Sequence, residues 1–285
     1  MLPGSKAALP AATAILCVGL LAFHASSRGF HGDAPGSSRS ANLPDIILWA
    51  WERPEDLRFL HSQPVGVAFL AQTVSLQSDP RQFIVRPRLQ PLRVAPATPL
   101  VAVVRIESPV GIRNSRPPVL SAQAREKLAT QIANLQALPN VRAIQIDFDA
   151  STSQHAFYAA LLQDIRGKAL STIPLSITAL ASWCIGDTWL TQLPANTIDE
   201  AVPMLFRMGP DTANVVRFLR SHEQFPVPAC RTSLGLSTDE SFSHLLLARQ
   251  ISLALAEPTE KRIYVFAPRR WTSSIADSVV KEWQP

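Results

Sequence analysis

Glycine is scarce in this chain, and several functional signals are absent. The 285 residues include 11 Gly against 24 Pro, which predicts stiff rather than flexible loops. No Gly-rich phosphate loop follows the first apolar strand, so a nucleotide-binding version of an open α/β sheet is disfavoured. The net charge of +5 comes without a Lys-rich arm or a known nucleic-acid-binding motif. We therefore predict no nucleic-acid partner.

Metal-binding patterns are missing as well. Four histidines fall on predicted helices or loops without the spacing of zinc ligands: His61, His155, His222 and His244. Asp147 and Asp149 offer oxygen ligands of the kind that hard divalent cations take. Two acids alone do not make a site, so we predict neither a metal nor another cofactor.

The N-terminus has the pattern of a targeting segment. Lys6 precedes an apolar run at residues 7–23, which is typical of an export signal or a short membrane anchor. We predict a signal peptide or N-terminal membrane anchor at residues 1–24 and a flexible linker at residues 25–42. The remainder is then expected outside the cytoplasm, either periplasmic or attached to the inner membrane facing the periplasm.

Only two cysteines would lie in that oxidising compartment, Cys184 and Cys230. Export favours a disulfide between them. The strand assignment argues against it, because Cys184 follows one strand and Cys230 precedes another. That order places the two thiols at opposite ends of a barrel, beyond bonding reach. The two arguments leave the pairing open.

Eight apolar runs that read as strands alternate with mostly helical segments over residues 43–285. This is the pattern of an α/β fold, specifically a (β/α)8 TIM-type barrel, with an open doubly wound sheet as the alternative. A further segment, residues 83–94, is predicted as a hairpin excursion. The eight predicted strands are residues 45–51, 65–70, 100–106, 141–149, 174–180, 200–206, 232–236 and 262–266.

Helix starts are marked by capping side chains. Ser121 is the expected N-cap of the helix at residues 121–138, and Asp211 that of the helix ending near Leu219. Residues 237–240, Ser-Thr-Asp-Glu, fit a capping box that would open a helix reaching residue 256.

The strand at residues 141–149 ends in two acids. Strand side chains alternate, so Gln145, Asp147 and Asp149 share one face, while the other face is apolar and suits helix packing. Carboxylates at the carboxyl end of a barrel strand lie where (β/α)8 enzymes place their chemistry. The alternative is that a strand-end Asp only caps the next helix.

Acids, arginines and tryptophans converge at the predicted barrel mouth, which favours a sugar ligand. Glycosidases need two carboxyl groups, one protonated and one ionised. Structural roles remain as alternatives, since Glu107 could pair with an arginine and Glu52 could be a solvated loop residue. The predicted catalytic candidates are Asp147, Asp149, Glu107 and Glu52. The predicted substrate-binding residues are Trp51, Arg105, Gln145, Trp183, Arg207 and Trp271.

Arginines are concentrated in residues 81–116, where Glu107 is the sole acid. Arginine prefers planar anions, which leads to the hypothesis that the polysaccharide partner is acidic. A solvated basic surface is the alternative. The arginines concerned are Arg81, Arg86, Arg88, Arg93, Arg105, Arg113 and Arg116.

Three segments resemble an uncharacterised bacterial family, domain of unknown function 3142. They are IQIDFDA at residues 144–150, SITALASWC at residues 176–184 and EAVPMLFRMG at residues 200–209. The resemblance extends over most of the chain after the linker. It implies a barrel related to glycoside hydrolases, with no established activity.

The first of these segments is also similar to the chitinase-like pattern Asp-x-x-Asp-x-Asp-x-Glu. Asp147 and Asp149 match its second and third acids, while Ile144 replaces the first and Ser151 replaces the Glu that acts as general acid. Chitinase chemistry therefore does not carry over. A proton donor would have to be Glu107, Glu52 or Asp149 itself.

These observations lead to two functional hypotheses. In the first, the chain is an exported glycoside-hydrolase-like barrel that acts on an envelope or secreted polysaccharide, with one of Asp147 and Asp149 ionised and a second carboxyl group donating the proton. In the second, it is a non-catalytic glycan-binding or assembly protein on a degenerate barrel. The missing Glu favours the second hypothesis, and the retained acid pair favours the first.

Overall fold

A computed structural model describes residues 37–40, 42–109, 117–169, 173–222, 224–241, 243 and 262–283. Eleven strands lie in these ranges, and they contain all eight predicted ones. In chain order they are β1 Ile46–Ala50, β2 Glu55–Asp56, β3 Val65–Leu76, β4 Phe83–Pro87, β5 Leu92–Arg93, β6 Leu100–Glu107, β7 Val141–Asp147, β8 Leu175–Leu180, β9 Glu200–Met204, β10 Ser233–Ser237 and β11 Arg262–Phe266.

Eight of the strands form a closed parallel barrel. Their order is β1-β11-β10-β9-β8-β7-β6-β3, and pairing of β1 with β3 closes the ring. The predicted (β/α)8 barrel is therefore confirmed, and the open sheet is excluded. Residues 83–94 do form an excursion from the barrel, but not the predicted hairpin, because β4 runs antiparallel to the extended end of β3 and not to β5. β2 and β5 pair in a small sheet of their own.

Helices occupy the crossovers from β6 to β10 and follow β11. They are α2 Ala122–Ala133, α3 His155–Ala169, α4 Ala181–Ile185, α5 Thr212–Ser221 and α6 Ser273–Trp283, and a short α1 Ser37–Ser40 precedes β1. The helix predicted to reach residue 256 falls mostly outside the described residues, as does the predicted N-terminal segment. None of the helices in the described part of the chain is long and apolar enough to span a membrane.

The capping predictions have mixed outcomes. The Ser121 hydroxyl accepts the Ala124 N–H at 3.3 Å, as predicted, whereas Asp211 makes no side-chain cap bond. The capping box at residues 237–240 is wrong. Ser237 is still part of β10, its N–H donates to the Ser243 hydroxyl, and the Glu240 carboxylate accepts the backbone N–H of Arg207 instead.

Two apolar layers follow from the alternation of the strands. Outward-facing residues such as Leu48, Val104 and Ile146 pack beneath the helices in the larger core. Inward-facing residues, among them Trp49, Val103 and Val202, fill the barrel itself. Trp49 thus points into the barrel.

The amino-terminal end of the barrel is closed by a buried ion pair. The Arg262 guanidinium donates to Glu200 at 2.9 Å and to the backbone carbonyls of Ser40 and Pro44. Tyr264 donates its hydroxyl to the same Glu200 carboxylate. The segment before β1, part of which was predicted as linker, is thereby held against the barrel.

Cys184 and Cys230 form a disulfide, with Cα atoms 5.9 Å apart. The topological argument against the bond is therefore wrong. It assumed that each cysteine stays at its own end of the barrel. Instead α4 folds back from the end of β8 against β9, and the single turn at Pro228–Cys230 packs against β9 as well. The two thiols meet in the outer layer.

Candidate functional site

Asp147 is the last residue of β7 and lies at the carboxyl end of the barrel. One of its carboxylate oxygens accepts a hydrogen bond from the Thr178 hydroxyl of β8 at 2.8 Å. One pleat below, Gln145 is fully buried and accepts the Trp49 indole N–H at 2.8 Å. Gln145 and Asp147 were predicted to share one face of the strand, and this is the inner face of the barrel. The Gln145 side chain is fully enclosed there.

Burial raises the pKa of Asp147 from 3.8 to about 6. The negative charge of Asp149 raises it further, while the Thr178 hydrogen bond and the charge of Arg105 act in the opposite direction. A carboxyl group with this pKa retains its proton in weakly acidic solution and loses it near neutrality. It can therefore both donate and accept a proton close to physiological pH.

Asp149 follows β7 and is exposed at the mouth. It forms no hydrogen bond or salt bridge with any residue in the described ranges. Burial of its carboxyl raises its pKa, and the charge of Arg105 lowers it. The helix-cap alternative does not apply, because Ser151 and Gln154 form the capping box at the start of the next helix.

The two glutamates predicted as catalytic are placed differently from the aspartates. Glu107 accepts a hydrogen bond from Arg86 at 2.9 Å and lies 3.6 Å from the Arg105 guanidinium. This is the ion-pairing alternative stated above. Glu52 is exposed on the loop after β1.

Aromatic rings line two sides of the mouth. Trp51 is half-buried beyond β1, with the Arg105 guanidinium 5.9 Å from its ring centroid. Phe266, at the end of the neighbouring strand β11, and Phe206, which follows β9, stack in parallel at 5.8 Å. The Arg207 guanidinium lies over Phe266 at 5.0 Å. The mouth therefore combines two carboxyl groups with cations and apolar ring faces.

Two of the predicted sugar-binding tryptophans offer no face to a ligand. Trp183 is 4% exposed and packs edge-on against Trp189 and His155 in the outer layer. Trp271 is 3% exposed, and its indole N–H donates to the Trp49 carbonyl. Both follow strand ends in the sequence, but the chain turns outward before reaching them.

Sequence reasoning missed three residues of the mouth, namely Thr178, Phe206 and Phe266. Each lies on a barrel strand or directly after one. Period-two alternation from Ser176 in β8, and from Tyr264 in β11, would have placed Thr178 and Phe266 inside the barrel.

The arginine concentration does not form a free anion site among the described residues. Arg86 pairs with Glu107, Arg81 with Asp79, and Arg93 lies 4.0 Å from Asp56. The Arg88 guanidinium donates to the carbonyls of Ala50, Trp51 and Arg53. Arg113 and Arg116 lie outside the described residues. The hypothesis of an acidic glycan therefore gains no support from this region.

In the described ranges, no group of three or more His, Cys, Asp or Glu side chains is arranged to hold a metal ion.

The model of the family "Domain of unknown function (DUF3142)" matches residues 96–206. This segment covers β6 to β9, and so includes both aspartates and the start of the Phe206 loop. The resemblance noted in the sequence is confirmed over these residues. No curated protein matches the chain.

Several solved structures are similar to the chain at low identity. One is a family GH18 chitinase from Chromobacterium violaceum, 10% identical, with 84% of this chain and 86% of that chain covered and a TM-score of 0.46. A family 18 chitinase from Crocus vernus is 13% identical, covering 84% and 96%, at 0.41. An endo-beta-N-acetylglucosaminidase from Cordyceps militaris is 7% identical, covering 87% and 93%, at 0.43. These likenesses assign neither an activity nor a substrate to this chain.

Proposed function

We propose that this protein is an exported glycoside-hydrolase-like barrel that cleaves an envelope or secreted polysaccharide. The observation that carries the proposal is the pair Asp147 and Asp149 at the carboxyl end of β7. Asp149 is exposed without a described hydrogen-bond or ion-pair partner, so its carboxylate is available to a ligand. Carboxylates that serve only the fold are usually paired or capping, as Glu107 and Glu200 are.

Glycoside hydrolysis assigns different tasks to the two carboxyl groups. The leaving oxygen takes a proton as the bond to the anomeric carbon breaks. Asp147 was not among the proton donors expected from the sequence, but its pKa of about 6 lets it hold that proton in weakly acidic solution. Asp149, ionised and exposed, stabilises the positive charge on the sugar. Water then attacks the anomeric carbon, and the proton it releases restores the neutral carboxyl group.

The half-buried ring of Trp51 suits the apolar face of a sugar bound at the mouth. Trp51→Ala should weaken binding of the polysaccharide whether or not the protein cleaves it. Trp183→Ala, in contrast, should act on stability alone because the ring is buried.

The decisive experiment compares Asp149→Asn and Asp147→Asn with Asp277→Asn. Asp277 lies on the exposed surface of α6 and provides the same chemical change away from the mouth. Release of reducing ends from purified envelope polysaccharides should be lost in the first two variants and kept in the third, while polysaccharide binding persists in all three. Turnover that survives Asp149→Asn would refute the hydrolase proposal.

A non-catalytic glycan-binding protein is the second candidate. One observation favours it, because Ser151 stands at the position of the chitinase general acid and is used as a helix cap. In that case no reducing ends would be released by the wild-type protein, although Trp51→Ala would still lower its affinity for polysaccharide.

Export is part of the proposal and rests on the N-terminal sequence pattern. The disulfide between Cys184 and Cys230 supports it, since such bonds persist mainly in oxidising compartments. Cell fractionation, with protease added to spheroplasts, tests this part separately. A fully protected, cytoplasmic protein would contradict export.

A further inference from the structure

Arg207 lies at the mouth and has a backbone conformation that is unusual for an arginine. It lies three residues beyond the end of β9 and has a φ of +51°, in the left-handed region that residues other than glycine rarely adopt. The Glu240 carboxylate accepts its backbone N–H at 2.8 Å and holds this conformation in place. The loop after β10, which carries Glu240, thus fixes the backbone of the loop after β9 and with it the direction of the Arg207 side chain.

The guanidinium of Arg207 packs on a series of aromatic rings that reaches into the barrel. It lies over Phe266 at 5.0 Å, Phe266 stacks on Phe206, and Phe206 contacts Trp49 in the barrel interior. A guanidinium resting on an aromatic face keeps its N–H donors directed along its edge. The side chain is therefore oriented without being buried, and it is 57% exposed.

Among the described residues, no group accepts a hydrogen bond from the Arg207 guanidinium. The Arg207 guanidinium forms an exposed ion pair with the Asp239 carboxylate at 3.8 Å, a separation beyond hydrogen-bonding distance. The Ser237 hydroxyl already donates to Asp239. Arg207 differs in this respect from Arg86 and Arg88, whose donors are bonded to Glu107 and to backbone carbonyls.

We infer that Arg207 binds a carboxylate carried by the substrate, and that the polysaccharide therefore contains uronic acids near the cleavage point. A planar guanidinium takes a carboxylate through two parallel hydrogen bonds, which gives both affinity and orientation. The inference rests on the proposed function, and it names the substrate class for the same mouth. The acidic-glycan hypothesis, first based on the arginines of residues 81–116, is thereby assigned to Arg207, whose guanidinium makes no hydrogen bond to the described residues.

The test is binding to two polymers that share a backbone and differ in charge: polygalacturonate and its fully methyl-esterified form. The full-length chain in detergent is compared with Arg207→Asn and Arg207→Lys by affinity electrophoresis. Asparagine tolerates a positive φ, so Arg207→Asn removes the guanidinium without adding backbone strain. Arg81→Gln, at an exposed position paired with Asp79, is the control for loss of one positive charge.

The wild-type protein should prefer the acid form. Affinity for it should fall on the order of tenfold or more in Arg207→Asn, and by a smaller factor in Arg207→Lys, which keeps the charge but not the planar pair of donors. Arg81→Gln should bind both polymers like the wild type. Equal binding to acid and ester, equal losses in Arg207→Asn and Arg81→Gln, or no binding to either polymer would each overturn the inference.

These failures are distinguishable from failure of the proposed function. Release of reducing ends from a neutral polysaccharide, dependent on Asp149, would leave the hydrolase proposal standing while removing the uronic-acid subsite.

Discussion

At the scale of single residues, the carboxyl group of Asp147 at the barrel mouth lowers the stability of the folded protein. Asp147 is a carboxyl group placed where burial disfavours its charge, and only the Thr178 hydroxyl bonds to it among the described residues. A residue chosen for folding alone would not carry a charge here. Functional residues commonly lower the stability of the fold that presents them.

Asp147→Asn should therefore stabilise the protein at neutral pH. The folded-state pKa of about 6 lies above the value of 3.8 for an unperturbed Asp. The protonated form is thus favoured by folding, its contribution is complete below about pH 4, and it is lost as the pH rises through 6. Asparagine cannot ionise, so the variant should gain about 1 to 3 kcal/mol in free energy of unfolding at pH 7.5 and little at pH 4. Urea denaturation at the two pH values measures this, and an equal effect at both would contradict it.

The same pKa predicts the pH dependence of activity. If the protonated form of Asp147 supplies the proton, kcat/KM should fall about tenfold for each pH unit above 6. The measurement is a pH profile on a polysaccharide substrate, with circular dichroism at each pH to exclude unfolding. A rate that is constant from pH 5 to 8 would remove Asp147 from the proton-transfer step.

At the scale of elements, β10 is closely packed against the barrel interior at Gly235. A Cβ atom there would lie 3.1 Å from the Trp49 ring and 3.2 Å from the Pro203 carbonyl oxygen. Trp49 cannot retreat easily, because its indole N–H is bonded to Gln145 and its ring contacts Tyr264 and Phe206. Side-chain volume at this position is therefore restricted by the filled barrel.

Gly235→Ala should lower the free energy of unfolding by about 1 to 3 kcal/mol, as overpacking of a filled core usually does. Near-UV circular dichroism should report the displacement of Trp49. Gly167→Ala is the matched control, because a Cβ at this helical position would meet no neighbour within 4 Å, and alanine favours helix. Equal thermal midpoints for the two variants would contradict the packing argument.

Strands could be predicted from the sequence because their signal is local. Alternation with a period of two fixes which side chains share a face, and that was sufficient to place Asp147 and Gln145 on the inner side of β7. Capping is less reliable, since Ser237 and Glu240 have the right spacing but bond to Ser243 and Arg207. Ser243 lies just beyond the four-residue motif and Arg207 lies in another loop, so no pattern within four residues contains either partner.

Most of the residues that were wrongly predicted to bind substrate lie on loops. Trp183 and Trp271 follow strand ends, which made them candidates for the mouth. Each loop direction depends on tertiary contacts: α4 folds back onto β9, and Trp271 is held by bonds to Glu55 and Trp49. The apolar flanks of Trp183 in the run ALASWC were the available sign of a core position.

At the scale of the whole molecule, the disulfide links two crossovers that are 46 residues apart in sequence. Cross-linking lowers the entropy of the unfolded chain, and a loop of this length contributes about 2 to 4 kcal/mol. Cys184→Ala/Cys230→Ala should therefore lower the free energy of unfolding by about this amount. Urea denaturation with and without dithiothreitol provides the check. The variant should not respond to the reductant, and a wild-type protein that releases two thiols without loss of stability would contradict the prediction.

The pairing of β1 with β11 has a consequence for how the protein is made. Ile46 and Ile263 are partners, yet 217 residues separate them in the chain. At about 5 to 20 residues per second, ribosomes need roughly 10 to 40 s to cover that distance. During this time β1 has β3 as a neighbour but an open edge on its other side, which is a template for aggregation. Newly made chains should accordingly depend on a holding chaperone until their last strand has been synthesised.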